Sequence, residues 1–177
     1  MSFLTSIKKK TTSARFWRNV FIQLIILAVI YTGLQFWQTR NAISGVAPAI
    51  NGSLLEGSQV ALSDYRGEPV LIHFWASWCP ICGFTHPSID SLAEDYRVLT
   101  FASMSGDEEA VSEYVREQGI SAPVIVDEQG DWARLYGVKG FPSSFIVGPD
   151  GKISDIEIGY SSYWGLRIRM FIAGFGA

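Results

Sequence analysis

Apolar positions in this chain form one long charge-free block near the N-terminus, then short blocks separated by turn residues, with stretches of helical spacing between them. The long block, Val20 to Trp37 (VFIQLIILAVIYTGLQFW), approaches the roughly 20 residues that a helix needs to span a bilayer. Trp17 and Trp37 flank it, and at about 1.5 Å of rise per residue they stand roughly 30 Å apart, the thickness of the hydrocarbon core. A cleaved signal peptide has a shorter apolar region, about 7 to 15 residues, followed by a small-x-small site. This run ends in bulky residues, and Ala42-Ile43-Ser44 is a poor cleavage site, so an uncleaved anchor is expected over 20–37. The composition of residues 38–53, small and polar, reads as a tether.

From residue 54 the pattern is that of one folded domain, 54–177. Leu54 to Leu62 reads as a hairpin around Gly57-Ser58. Pro69 to Trp75 (PVLIHFW) is nearly all apolar and bounded by turn residues, as in a central strand buried on both faces. The pattern then predicts a helix over Pro80 to Tyr96, a strand over Val98 to Met104, a helix over Asp107 to Gln118 closed by Gly119, and a strand over Pro123 to Val126. A short helix over Asp131 to Tyr136, strands over Ser143 to Val147 and Ile153 to Ile158 turned at Pro149-Asp150-Gly151, and a last helix over Ser162 to Phe171 complete it. The order β-α-β-α-β-α-β-β-α, with short right-handed crossovers, gives an α/β sandwich with a mixed sheet.

Charge sharpens the picture of the two ends. The net charge of the 177 residues is only -3, but Lys8, Lys9, Lys10, Arg15, Arg18 and Arg40 all precede the first acidic residue, Glu56. The positive-inside bias puts the basic arm, 1–19, in the cytoplasm and the domain outside, which for a bacterial inner membrane is the periplasm. It also removes the alternative of a buried soluble helix for 20–37. An acidic body speaks against nucleic acid as a partner.

The candidate chemistry lies in the only two cysteines, Cys79 and Cys82, placed where the buried strand ends and a helix begins. Unpaired N–H groups and the macrodipole at a helix N-terminus favour negative charge, so Cys79 is expected to attack as thiolate. Cys82, one turn further in, is placed to displace the mixed disulfide. Pro80 suits the first helical turn, where a missing N–H costs nothing. The pair alone also fits a zinc site or a structural disulfide. Zinc wants four ligands, and the chain adds only His73 and His86 to the cysteines; so short a disulfide loop stabilises little.

FWASWCPIC (Phe74 to Cys82) followed by YGVKGFPSSFIV (Tyr136 to Val147) strongly resembles the thioredoxin superfamily. The resemblance implies a thioredoxin fold and a protein-disulfide oxidoreductase, with Cys79 and Cys82 catalytic and Phe141-Pro142 joined by a cis peptide beside them. Trp78, Phe141 and Pro142 are then the substrate-binding residues. The anchor, the N-terminal hairpin and a helix-strand insert between Cys82 and Pro142 make the chain similar to the extracytoplasmic thioredoxin-like branch that includes cytochrome c maturation thioredoxins. Within it, the CPxC motif and layout look closest to the suppressor-of-copper-sensitivity protein D group. The expected partners are protein thiols and disulfides and a membrane electron carrier of the disulfide-reductase type, with neither metal nor cofactor required.

Several positions depart from that pattern. Where thioredoxin has a buried aspartate the chain has His73, a possible base, and where branch members often carry a glutamate it has Thr85. His86 lies four residues after Cys82, on the same helical face, and reads as a surface polar residue. Strong oxidases of the superfamily have a CPHC motif; Ile81 cannot stabilise a thiolate as that histidine does, which favours the reducing direction. A peroxiredoxin-like peroxidase would have Thr or Ser at Ala76. Copper binding suits the soft thiolates, but no histidine follows His86 to act as a distal ligand.

Overall fold

The computed structural model describes residues 14–39 and 45–175. The chain divides into two units, Met1–Gln38 and Thr39–Ala177. The first carries helix α1, Ala14–Thr39, which includes the whole charge-free run. Its side chains are described from Phe16 to Ile30 and at Gly33, and all of these but Val20 are exposed. Among the described residues no helix is long and apolar enough to cross a membrane. The side chains of the rest of the run, Tyr31, Thr32 and Leu34 to Trp37, lie outside the description, as do residues 1–13 of the basic arm.

The second unit is an α/β sandwich. Its strands are β1 (Gly45–Val46), β2 (Asn51–Ser53), β3 (Gln59–Ala61), β4 (Val70–Trp75), β5 (Arg97–Ser103), β6 (Val124–Asp127), β7 (Ser143–Val147) and β8 (Lys152–Ile158). Its helices are α2 (Pro80–Ala93), α3 (Glu108–Gln118), α4 (Asp131–Leu135) and α5 (Tyr163–Gly174). Six strands form a mixed sheet in the order β1-β8-β7-β4-β5-β6, while β2 and β3 pair as a separate hairpin. β4 lies at the centre, parallel to β5 and antiparallel to β7. All six of its residues are buried, as a strand covered on both faces requires.

Alternation along β4 assigns its side chains to two cores. Ile72 and Phe74 enter one, where the Phe74 ring stacks on Phe101 at 4.8 Å between centroids and meets Tyr136 and Phe145. Leu71 enters the other, against Ile89 and Leu92 of α2 and Leu166 and Met170 of α5. Trp75, on the same face as Leu71, packs with Cys79, Cys82 and Val111. α3 is defined by its ends: the Asp107 side chain accepts from the Ala110 N–H, and Gly119 closes the helix in the left-handed conformation at φ 66°.

The domain starts earlier than the composition of 38–53 suggests. β1, inside that stretch, forms the edge of the sheet by pairing with β8, and Ile50 is only 1% exposed in the main core. The hairpin predicted from Leu54 is shifted toward the N-terminus, so that Asn51 to Ser53 face Gln59 to Ala61. α2 ends at Ala93 rather than Tyr96, and α5 continues three residues past Phe171.

Candidate active site

Parallel pairing of β4 and β5 puts Trp75 level with Ala102, so the loops that leave these strands emerge side by side. The loop after β4, Ala76 to Trp78, carries the chain into α2 with Cys79 as the N-cap and Pro80 as the first helical residue. The loop after β5 holds it in place. The Ser77 N–H donates to Ser105 Oγ at 2.9 Å, and Trp78 Nε1 donates to the Met104 carbonyl at 2.9 Å. Met104 adopts a left-handed backbone at φ 49°. Its N–H donates to the carbonyl of Asp127 at the end of β6. The buried Asp127 carboxylate accepts in turn from Ser103 Oγ and from the Trp132 and Ala133 N–H groups at the start of α4.

Cys79 and Cys82 are both free thiols. The Cys79 Sγ lies 3.5 Å from the Phe141 carbonyl oxygen, and the Phe141-Pro142 peptide is cis. Trp78, 61% exposed, stands edge-on to Phe141 at 5.7 Å, and Ile81 and Phe84 in the first turns of α2 are exposed as well. The structure therefore brings Trp78, Cys79, Phe141 and Pro142 together.

Cys82 is fully buried, with its carbonyl accepting from Thr85 Oγ1 at 2.7 Å. Burial pushes its thiol up to about 12, helped by a hydrogen bond with Cys79. His73 also lies beneath α2, on the face of β4 shared by Leu71 and Trp75. Its Nδ1 is 2.9 Å from Ser144 Oγ, and its Nε2 is buried without a partner. Burial, and then the neighbouring His86, lower its pKa to about 3. His73 is thus neutral and a weak proton acceptor. His86, expected at the surface, is instead 5% exposed, edge-on to the Trp75 ring at 5.0 Å, with its Nε2 also unpartnered and its pKa lowered by burial.

No group of three or more His, Cys, Asp or Glu side chains that could hold a metal occurs among the described residues. The residues that sequence reasoning missed are Met104 and Ser105. Neither belongs to a motif, and their role follows only from the β4–β5 register.

Two free thiols at a strand-to-helix junction, one 8% exposed and the other fully buried, beside a cis proline, can exchange with an external disulfide. Proteins similar to this chain are named for that reaction. The thiol-disulfide oxidoreductase ResA of Bacillus thuringiensis is 30% identical over 143 residues, 76% of this chain and 83% of the relative. The thiol:disulfide interchange protein DsbE of Chlorobium tepidum superposes with a TM-score of 0.66 at 26% identity, over 76% of this chain and 99% of that one. An exposed lipoprotein thioredoxin of Streptococcus pneumoniae gives 0.66 at 27% identity over 71% and 99%. The domain has the α/β thioredoxin fold and is a thiol-disulfide oxidoreductase, and, with residues 43–156 matching the family, the chain belongs to the AhpC/TSA family.

Proposed function

We propose that this thiol-disulfide oxidoreductase is held on the outer face of a bacterial inner membrane by α1 and reduces disulfides of periplasmic proteins. The observation that carries the reading is the unequal setting of the two sulfurs. Cys79 caps α2 beside Phe141, whereas Cys82 is fully buried with its thiol pushed up to about 12. Attack by the Cys79 thiolate on a substrate disulfide forms a mixed disulfide and expels one substrate thiolate. Cys82 then loses its proton and attacks Cys79 Sγ; the second substrate sulfur leaves and is protonated. Two electrons and two protons pass to the substrate, and Cys79 and Cys82 are left joined.

The reducing direction is supported by what stabilises the dithiol. A strong oxidant has a reduced form stabilised as thiolate. Here Ile81 offers no hydrogen bond or charge, and burial disfavours a thiolate at Cys82. With a thiolate disfavoured at Cys82, the inner sulfur of the reduced pair lacks the stabilisation that marks a strong oxidant, which supports donation of electrons to the substrate, and a membrane carrier of the disulfide-reductase type would restore them. The anchor is supported by a 26-residue helix over a charge-free run whose described apolar side chains are exposed on every face, and by the all-positive N-terminal flank. A copper-binding role is less well supported, because the two thiols lack a third ligand among the described residues. Ala76, in the position where a peroxidase would have Thr or Ser, weakens that reading too.

The test is to replace Cys82 with Ala and look for mixed disulfides on Cys79 in cells. Thiol-sensitive adducts with periplasmic proteins are expected, and none when Cys79 is replaced as well. No adducts, together with a wild-type pair that stays oxidised under all conditions, would overturn the proposal.

A further inference from the structure

One face of α5 is apolar and uncovered. Leu166, Met170 and Ala173 bury the opposite face in the core, while Trp164, Ile168, Phe171, Ile172 and Phe175 are 57% to 73% exposed. At about 100° per residue these five positions fall within an arc of roughly 100°, so they make one stripe. An arginine flanks it on each side: Arg167 pairs with Asp95, and Arg169 with Asp155 and Glu157. A stripe rich in Trp and Phe and edged by arginine is the make-up of a helix that lies in a membrane interface.

The place where the chain enters the domain points to the same occupant. β1 pairs with the start of β8, Val46 opposite Lys152. Lys152 lines one cleft together with Ile172 and Ala173 from the C-terminal end of α5. The chain therefore enters at the same corner as the end of the apolar stripe. Only residues 40–44 separate α1 from β1, and a stretch of this length spans at most about 20 Å.

We propose that the exposed face of α5 docks on the lipid bilayer that α1 spans, an inference that rests on the anchor proposed above. α5 follows β8, whose last residue, Ile158, pairs with Ser143 next to Pro142, and it ends beside Gly148 at the far end of β7. The helix thus runs the length of the sheet from the cysteine end to the entry corner. Docked along its stripe, it lays the sheet along the membrane and opens Cys79 sideways, at the level of a membrane-embedded thiol partner.

The test uses the full chain with Cys79 and Cys82 replaced by Ser and one nitroxide label attached after Ile168→Cys or Ile172→Cys. Glu113→Cys on α3 and Leu27→Cys on α1 serve as references. The protein is reconstituted at low density in phosphatidylcholine–phosphatidylglycerol vesicles, and label relaxation by oxygen is compared with relaxation by a water-soluble nickel chelate. The oxygen-to-nickel ratio is expected to be at least about threefold higher at 168 and 172 than at 113. If 168 and 172 match 113 while 27 lies in lipid, the docking is wrong and the anchor stands. If 27 is open to nickel, the anchor fails and the docking with it. Shielding from both reagents, with spin–spin broadening that unlabelled chain dilutes away, assigns the face to a second copy and also overturns the proposal.

Discussion

His73 makes the domain sensitive to acid, and the size of the effect can be worked out. Its pKa falls from the usual 6.5 to about 3 on folding, chiefly through burial. As pH drops below 6.5 the unfolded chain takes up a proton that the folded chain refuses until about 3, so the stability this group contributes at neutral pH is lost across that window. Between pH 7 and pH 4 the difference in proton uptake integrates to roughly 3 kcal/mol. His73→Asn keeps a polar group facing Ser144 Oγ and removes the titration. Urea unfolding of the full chain in detergent micelles, followed by tryptophan fluorescence at the two pH values, measures it. The wild type is expected to lose roughly 3 kcal/mol more than the variant, a midpoint difference of about 1 to 3 M urea. Carboxylates titrate in both proteins and cancel. Parallel losses, within about 1 kcal/mol, would refute the assignment of a buried neutral histidine.

Three further outcomes are expected. In the Cys79→Ser variant, Cys82 should react with iodoacetamide at neutral pH roughly a hundredfold more slowly than Cys79 does in Cys82→Ser, as mass spectrometry of timed samples would show. Asp127→Ala strips partners from Ser103 Oγ and from the Trp132 and Ala133 N–H groups, and should cost about 3 kcal/mol in urea unfolding. Ser105→Ala leaves the Ser77 N–H without its acceptor and should cost about 1 to 2 kcal/mol by the same measurement.

The reactive pair was legible because it sits at a change of period, where the apolar run of β4 gives way to a capped helix, and each neighbour of Cys79 in sequence serves the same local geometry. The cis proline was legible only by resemblance, since nothing in Phe141-Pro142 itself distinguishes it. Ser105 and Met104 were not readable: they meet Ser77 and Trp78 from 26 to 28 positions away, through a register that periodicity does not fix. Ser144 finds His73 in the same way, across the antiparallel β4–β7 pair. β1 and β2 were hidden because two- and three-residue strands of Gly, Asn, Ser and Val have the composition of a tether; their pairing partners, β8 and β3, make them strands. His86 looked like a surface residue by type, and only the packing of Trp75 and Tyr114 around it encloses it.

The depth of Cys82 bears on timing. Burial is the larger cause of its reluctance to ionise, ahead of the hydrogen bond with Cys79 that a client bound at that sulfur would remove. The second half of the proposed cycle would then wait on a rare ionisation, while the first half begins from the less deeply buried sulfur. During that interval of the reducing cycle proposed above, a client that carries another thiol close by would attack the mixed disulfide itself and leave with its bonds rearranged, whereas a client without one would wait for Cys82 and leave reduced. On that proposal the same two sulfurs would sort their clients by what each brings, with the inner one acting as the clock.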